Sequence, residues 1–484
     1  MTEKKKRSKI LVPIVVVVLT VMLLAIFSLG FNAATPYTVL TQNVDLRTKV
    51  TITTEGNNSV LTDNKGKKYS LTEDSVIYSG AGTLKVYLNN TQPVNINSII
   101  CKGKFQVMGG SGTLNVVTTK DVAIDVGYFD VHECTAQMNI VAQGAKYGIR
   151  SGTFIEIAKG TVTAVGGDYG TYTKTYYVIE KAGKLIARAQ SANSASPSTA
   201  VYGGSYIEVR DSSTLDACAK AGKYGIKAST YLSILRGSKV FAQGGIDGIN
   251  NGSYYSVLDG SSIVANGYSG YGMYSERGYA SICRSSTVEA TGITNGIRVY
   301  QYFSVLDGST LNAVGCSGAG ARAETQYISV LRNSKMIAKG ETIGAYSKSY
   351  MSVITGSTLK GSGDVGLHSD EYIHTNGAGS VIHGEGKTTG ILCKGNGGDS
   401  IFANGSGTIY GEATATADSV GIRIYNKGQI AARTGATMQG NGVRAGIETV
   451  NGYVEASNAT LKAVVYGAKS GYAAITGSKA LRVF

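Results

Sequence analysis

Tyr206, Tyr231, Tyr254, Tyr279, Tyr302, Tyr327, Tyr350 and Tyr372 follow one another at a nearly constant interval. Tyr176, Phe154, Phe129 and Phe105 extend the series backwards, making twelve aromatic positions in succession. Flat rings with polar tips suit stacking on sugar rings and hydrogen bonding to their hydroxyls, so this row is the leading candidate for binding a linear glycan. The same rings could equally serve only to support one another across adjacent strands.

Histidine supplies a second candidate. His368, His374 and His383 lie close together in the chain, with Asp370, Glu371 and Glu385 among them. Imidazole with carboxylate is the donor set of a metal centre or an acid–base pair, so His368, Asp370, His374 and His383 form a weak candidate cluster; the plainer reading is a polar surface on one irregular coil. The six cysteines, at 101, 134, 218, 283, 316 and 393, contain no CxxC pair, and they read as small buried hydrophobes rather than a disulfide framework or zinc site. Phosphate loops, nucleophile elbows and dinucleotide fingerprints are missing from any strand-to-helix context.

What must position these residues is an internal repeat. The middle of the chain follows the template G-(I/A)-x4-Y-x-S-V-L-x-G-S-T-L-x-A-x-G, one unit to each aromatic. A unit of roughly two dozen residues falls at the short end of the range for stacked repeats. A strand starts at steps such as Gly225-Ile226, Gly248-Ile249 and Gly296-Ile297; a second follows the aromatic; a third follows the Gly-Ser corner, as in Thr310-Leu311-Asn312-Ala313. Three short strands per coil cannot close a core alone, but stacked coils can. Propeller blades need longer repeats, and sandwiches have no strict period. The fold class expected is therefore all-β, a single-stranded parallel β-solenoid of about sixteen coils.

Register supports this. Five residues after each aromatic, successive coils read Asp211, Arg236, Asp259, Arg284, Asp307 and Arg332. Parallel stacking sets equivalent residues about 4.8 Å apart, where alternating charge attracts and like charge repels. Parity then orients the second strand. Leu232 and Ile234, or Phe303 and Val305, face inward, while Ser233, Ser304 and the aromatic column face outward.

Composition agrees. With 65 glycines, 4 prolines and 43% hydrophobic residues, the chain is neither collagen-like nor a disordered linker. The net charge is +14, of which the first nine residues carry +4, leaving about +10 on the body. That favours acidic polymers as partners, while the lack of a dense basic run after the N-terminus argues against nucleic acid. Residues 1–9 read as a basic cytoplasmic segment. Residues 10–31 form an uncharged apolar run, about 33 Å long as a helix, that would serve as a transmembrane signal anchor or a signal peptide. Residues 32–98 read as a stalk and N-terminal cap with irregular first strands, and 99–484 as the solenoid with closing coils. The stretch 191–199 (SANSASPST) reads as a loop pushed out of a corner.

The phrases GSGTLNV (110–116), GTVTAVGG (160–167) and GSTLNAVG (308–315) resemble repeats of bacterial cell-surface parallel β-helix proteins, most of all the carbohydrate-binding, pectate-lyase-like β-helix proteins of clostridia. The resemblance covers residues 99–480. It implies an extracellular, surface-anchored or secreted protein with a polysaccharide or host-surface glycan as partner. Calcium, which some relatives hold through clustered aspartates, is not supported, because those clusters are not evident here. Enzymes of this fold use close Asp pairs, a Gly-His-Gly step or an Asn-Thr-Asp phrase, and the chain has none, so no catalysis and no cofactor are expected. The alternatives are a purely structural or adhesive stalk with protein partners, and a polysaccharide-degrading enzyme.

Overall fold

A computed structural model describes residues 37–483, apart from 42, 43, 47, 133, 192–197, 396, 467–473 and 477–480. The apolar run 10–31 and most of the interrupting loop 191–199 lie outside the described residues. Among those described there is no helix, and so none long and apolar enough to cross a membrane.

The chain winds as a parallel β-solenoid with three faces. The first face carries the Gly-Ile strands, such as Asp247–Asn251, Tyr271–Ser275 and Asn295–Val299. The second carries the strands after the tyrosines, such as Tyr255–Val257, Ala280–Ile282 and Phe303–Leu306. The third carries Ser262–Gly267, Thr287–Gly292 and Thr310–Gly315. Each strand pairs in parallel with its equivalent one coil on, as in Ile263↔Val288↔Leu311↔Met336. Along the third face this continues for sixteen rungs, from Val94–Ile96 to Thr460–Val465. On the second face Leu232↔Tyr255↔Ala280↔Phe303↔Ile328 alternate between a shorter and a longer step, in time with the tyrosines.

Parallel pairing begins earlier than residue 99. Lys49–Glu55 already pairs with Thr83–Asn89, and Val76–Ser79 with Ser98–Gly110. Among the described residues the antiparallel pairing is confined to Lys49–Glu55, Asn58–Thr62 and Lys68–Leu71, within the segment expected to form a cap. At the other end Ile475–Thr476 and Leu481–Val483 still pair in parallel.

Inward-facing columns of Ile, Val, Leu, Met and Ala fill the interior, most of them wholly buried. Serine adds a buried polar column. The backbone N–H of Ser213 donates to Ser238 Oγ (3.1 Å), that of Ser238 to Ser261 Oγ (3.2 Å), and that of Ser334 to Ser357 Oγ (3.1 Å). The Gly-Ser phrase thus encodes more than a bend: the hydroxyls of Ser238, Ser261 and Ser357 each satisfy the backbone of the coil before them, so the inward turn there needs no water.

The alternating charges occupy the corner between the second and third faces, where Asp211, Arg236, Asp259, Arg284, Asp307 and Arg332 all have φ between 51° and 59°. The corner is fixed by backbone bonds between coils, Gly237 N–H to Asp259 O (2.8 Å) and Gly260 N–H to Arg284 O (2.8 Å) among them. Arg236 bridges Asp211, Arg284 bridges Asp259 (2.8 Å) and Arg332 bridges Asp307. Asp259→Arg breaks one bridge and sets three arginines in a row on successive coils. Its melting temperature should fall below the parent's, by more at low salt than at high salt, since screening weakens repulsion between exposed charges. Equal melting curves at both salt concentrations would contradict the register.

Candidate functional site

The aromatic row is a continuous stack. From Phe154 through Tyr176, Tyr206, Tyr231, Tyr254, Tyr279, Tyr302, Tyr327 and Tyr350 to Tyr372, neighbouring centroids lie 4.7–5.2 Å apart with planes within 12° of parallel. The column forms because each aromatic sits at the same corner, just before the second-face strand or, for Tyr350 and Tyr372, at its first residue, and the carbonyl accepts from the preceding coil, as Tyr254 O does from Leu232 N (3.1 Å). Tyr372 then meets Phe402 more loosely (6.3 Å, 29°), and His374 stacks on Phe402 (4.9 Å, 7°).

Two expectations need correction. Phe105 and Phe129 do not belong to the stack. They pair with each other and with Ile155, one position further inward, and are fully buried. A register shift between Val126 and Tyr128 moves parity by one, so Tyr128 takes the outward position and meets Phe154 edge-on (4.6 Å, 74°). The stack therefore has ten rings rather than twelve. Nor is it an open platform. Every ring is half-buried, and inside the stack each face is covered by the next ring, so only edges and hydroxyls reach solvent. Burial pushes the hydroxyls of Tyr206, Tyr231, Tyr254, Tyr302, Tyr350 and Tyr372 above their ordinary range. Face-on stacking of a sugar, the chemistry expected from sequence, has no free face to use there.

The three clustered histidines are not brought together. His368 stands on the first face, His374 on the second and His383 on the third. His368 Nε2 lies 3.3 Å from Asp370 Oδ1, whose carboxylate also takes Lys348 (2.7 Å) and Lys394 (2.9 Å). His374 Nε2 meets Ser352 Oγ (3.0 Å), and His383 Nε2 lies 3.4 Å from Glu385. Burial lowers both His368 and His374 to about 4, leaving both neutral at pH 7. Among the described residues, the histidine and carboxylates that do converge are Asp130, His132 and Glu156.

The first face presents the arrangement that sequence reading missed. The residue after each Gly-Ile step lies on the outer side of its strand, and in register this column reads Arg150, Tyr172, Tyr202, Lys227, Asn250, Tyr274, Arg298, Arg322, Tyr346 and His368, of which Asn250 and Tyr346 are themselves buried. Tyr147, Tyr169, Tyr224 and Tyr271 flank it three residues earlier on their strands. Cations lie over rings throughout: Arg322 is 4.5 Å from the Tyr346 centroid, Lys227 4.8 Å from Tyr224, and Arg298 5.5 Å from Tyr274. A hollow of about 460 Å³ opens between Asp125, Tyr147, Arg150, Tyr172 and Lys174. Another of about 320 Å³ lies among Tyr271, Asn295, Arg298, Arg322 and Glu324. In the second, Arg298 and Arg322 share one carboxylate, Glu324 (2.7 and 2.8 Å), so positive charge is left over. The signal was present as the residue following each Gly-Ile pair, but it varies without order among Tyr, Arg, Lys and Asn and so shows no constant letter.

No family model, curated protein or solved structure matches the chain. What the fold and faces define is a parallel β-solenoid with one stacked aromatic edge and one face of mixed tyrosine and cation.

Proposed function

We propose that this protein binds an acidic polysaccharide along its first face, at the cell surface or outside the cell, reaching that location through the apolar segment 10–31. The observation that carries the reading is the in-register column of Tyr, Arg and Lys from Arg150 to Arg322, broken only at the buried Asn250. A linear polymer repeats along its length, and so does this face. Guanidinium groups meet carboxylate or sulfate with charge-assisted hydrogen bonds, and tyrosine edges and hydroxyls meet the sugar. The positive body draws such a polymer in. The role is binding rather than turnover, because the nearby carboxylates are already engaged: Asp125 by Arg150, Glu324 by two arginines and Asp370 by two lysines.

The test is a glycan array with the full chain in mild detergent, followed by titration of the best hit. The double variant Arg298→Gln with Arg322→Gln should bind an acidic glycan about ten-fold more weakly or worse, with a shallower salt dependence. Replacing Tyr254, Tyr302 and Tyr350 together by Phe should leave affinity nearly unchanged, because the second-face rings stay stacked. An array with no acidic hit removes this reading and leaves a structural or adhesive rod. Loss of binding in the Phe variant alone would move the site to the second face.

A further inference from the structure

Asp130 and Glu156 stand opposite each other on adjacent coils of the second face, and His132 lies two residues along from Asp130, on the same side of its strand. One donor atom from each of the three lies within 4.8 Å of the others. Asp130 is only 2% exposed. Its Oδ2 accepts from Lys104 Nζ (2.5 Å) and Gln106 Nε2 (2.8 Å), but its Oδ1 is buried with no hydrogen-bond donor. A carboxylate oxygen sealed from solvent and left bare, with a second carboxylate beside it, is an arrangement that proteins otherwise avoid. A bound cation resolves both defects at once.

We propose that Asp130, His132 and Glu156 bind a divalent transition cation of the zinc class. One imidazole nitrogen and two carboxylate oxygens are a donor set that zinc accepts, whereas calcium prefers six or more oxygens. Lys104 and Gln106 hold Asp130 by its other oxygen, which fixes the direction of Oδ1, as outer groups do around metal ligands. With Lys104 counted, the two carboxylates leave a net charge of −1, which the ion reverses to +1. The ion would clip the strand Val122–His132 to Ile155–Ala158, next to Tyr128 and Phe154 where the aromatic stack begins. This proposal stands on different residues from the glycan reading and does not depend on it.

The full chain, stripped with EDTA and dialysed under reducing conditions, is titrated with ZnCl2, and in parallel with MnCl2 and CaCl2. Bound metal per chain and the melting temperature are both read. One zinc per chain is expected, with a rise in melting temperature. Glu156→Gln and His132→Gln should each weaken zinc binding about ten-fold or more. In EDTA, Glu156→Gln should melt no lower than the parent, since it removes the repulsion and keeps the shape, so loss of metal is separable from loss of fold. Cys316→Ser, which removes the exposed thiol, and His383→Gln should keep the stoichiometry. No zinc at one per chain, or undiminished zinc in both site variants, overturns the proposal. A larger stabilisation by calcium than by zinc overturns the metal class.

Discussion

Gly296→Ala is expected to destabilise the rod by about 3 kcal/mol or more, at the upper end of what overpacking costs. A methyl group at this position would meet Val314 N at 2.4 Å, Gly320 O at 2.7 Å and Ala290 O at 2.9 Å. All three are backbone atoms, so no side chain can turn aside. The obstacle belongs to the stack, because Gly272 is closed in the same way by Gly296 O and Thr291 N, both at 2.6 Å. Relief would have to lift the first face off the third over several coils, and nearest-neighbour contacts are what hold a solenoid together. Gly237→Ala is the control. There the nearest atom is 3.6 Å away but φ is 72°, so the cost is conformational only, about 1 kcal/mol. Urea melts of the two variants should separate clearly. Equal midpoints would mean that the first and third faces are not in backbone contact, and that the Gly-Ile step has another cause.

This contact explains what could be read from the sequence and what could not. A solenoid writes its columns at the period of the coil, so any column filled by one residue type declares itself: glycine at the first strand, tyrosine at the second corner, serine after the next. Alternating Asp and Arg at the corner declared itself as well, because alternation is also a pattern. The first-face column mixes Arg, Tyr, Lys and Asn without order, and nothing short of the register reveals it. Proximity along the chain misled in the opposite direction. His368, His374 and His383 are close in sequence, yet a few residues in a coil carry the chain to another face. Asp130 and Glu156 are a full coil apart along the chain and adjacent in space. The Phe129 error has a different origin, since the register shift beside Val126 changes parity locally and no residue type marks it.

Alkaline pH should unfold the protein cooperatively, with the β signal lost and the phenolate absorbance of the buried tyrosines appearing in the same transition above about pH 10. Burial raises the hydroxyls of Tyr254, Tyr302 and Tyr350 in the stack, pushes Tyr169 and Tyr410 up to about 12, and lifts the wholly buried Tyr177 and Tyr255 further. In the unfolded chain all of them ionise near the ordinary value of about 10. The folded state therefore holds more protons than the unfolded state between these limits. Stability from these groups is fully present below about pH 10 and is lost as pH rises through the folded values. The stack sharpens the transition, because a phenolate among rings 4.7–5.2 Å apart raises the cost of ionising its neighbours. Replacing Tyr254, Tyr302 and Tyr350 together by Phe keeps the rings and removes three ionisable hydroxyls, so it should move the alkaline midpoint upward and leave the neutral melt nearly unchanged. If the Phe variant loses its β signal at the same pH as the parent, the hydroxyls of these three rings are fully hydrated, and the half-buried stack does not describe the second face.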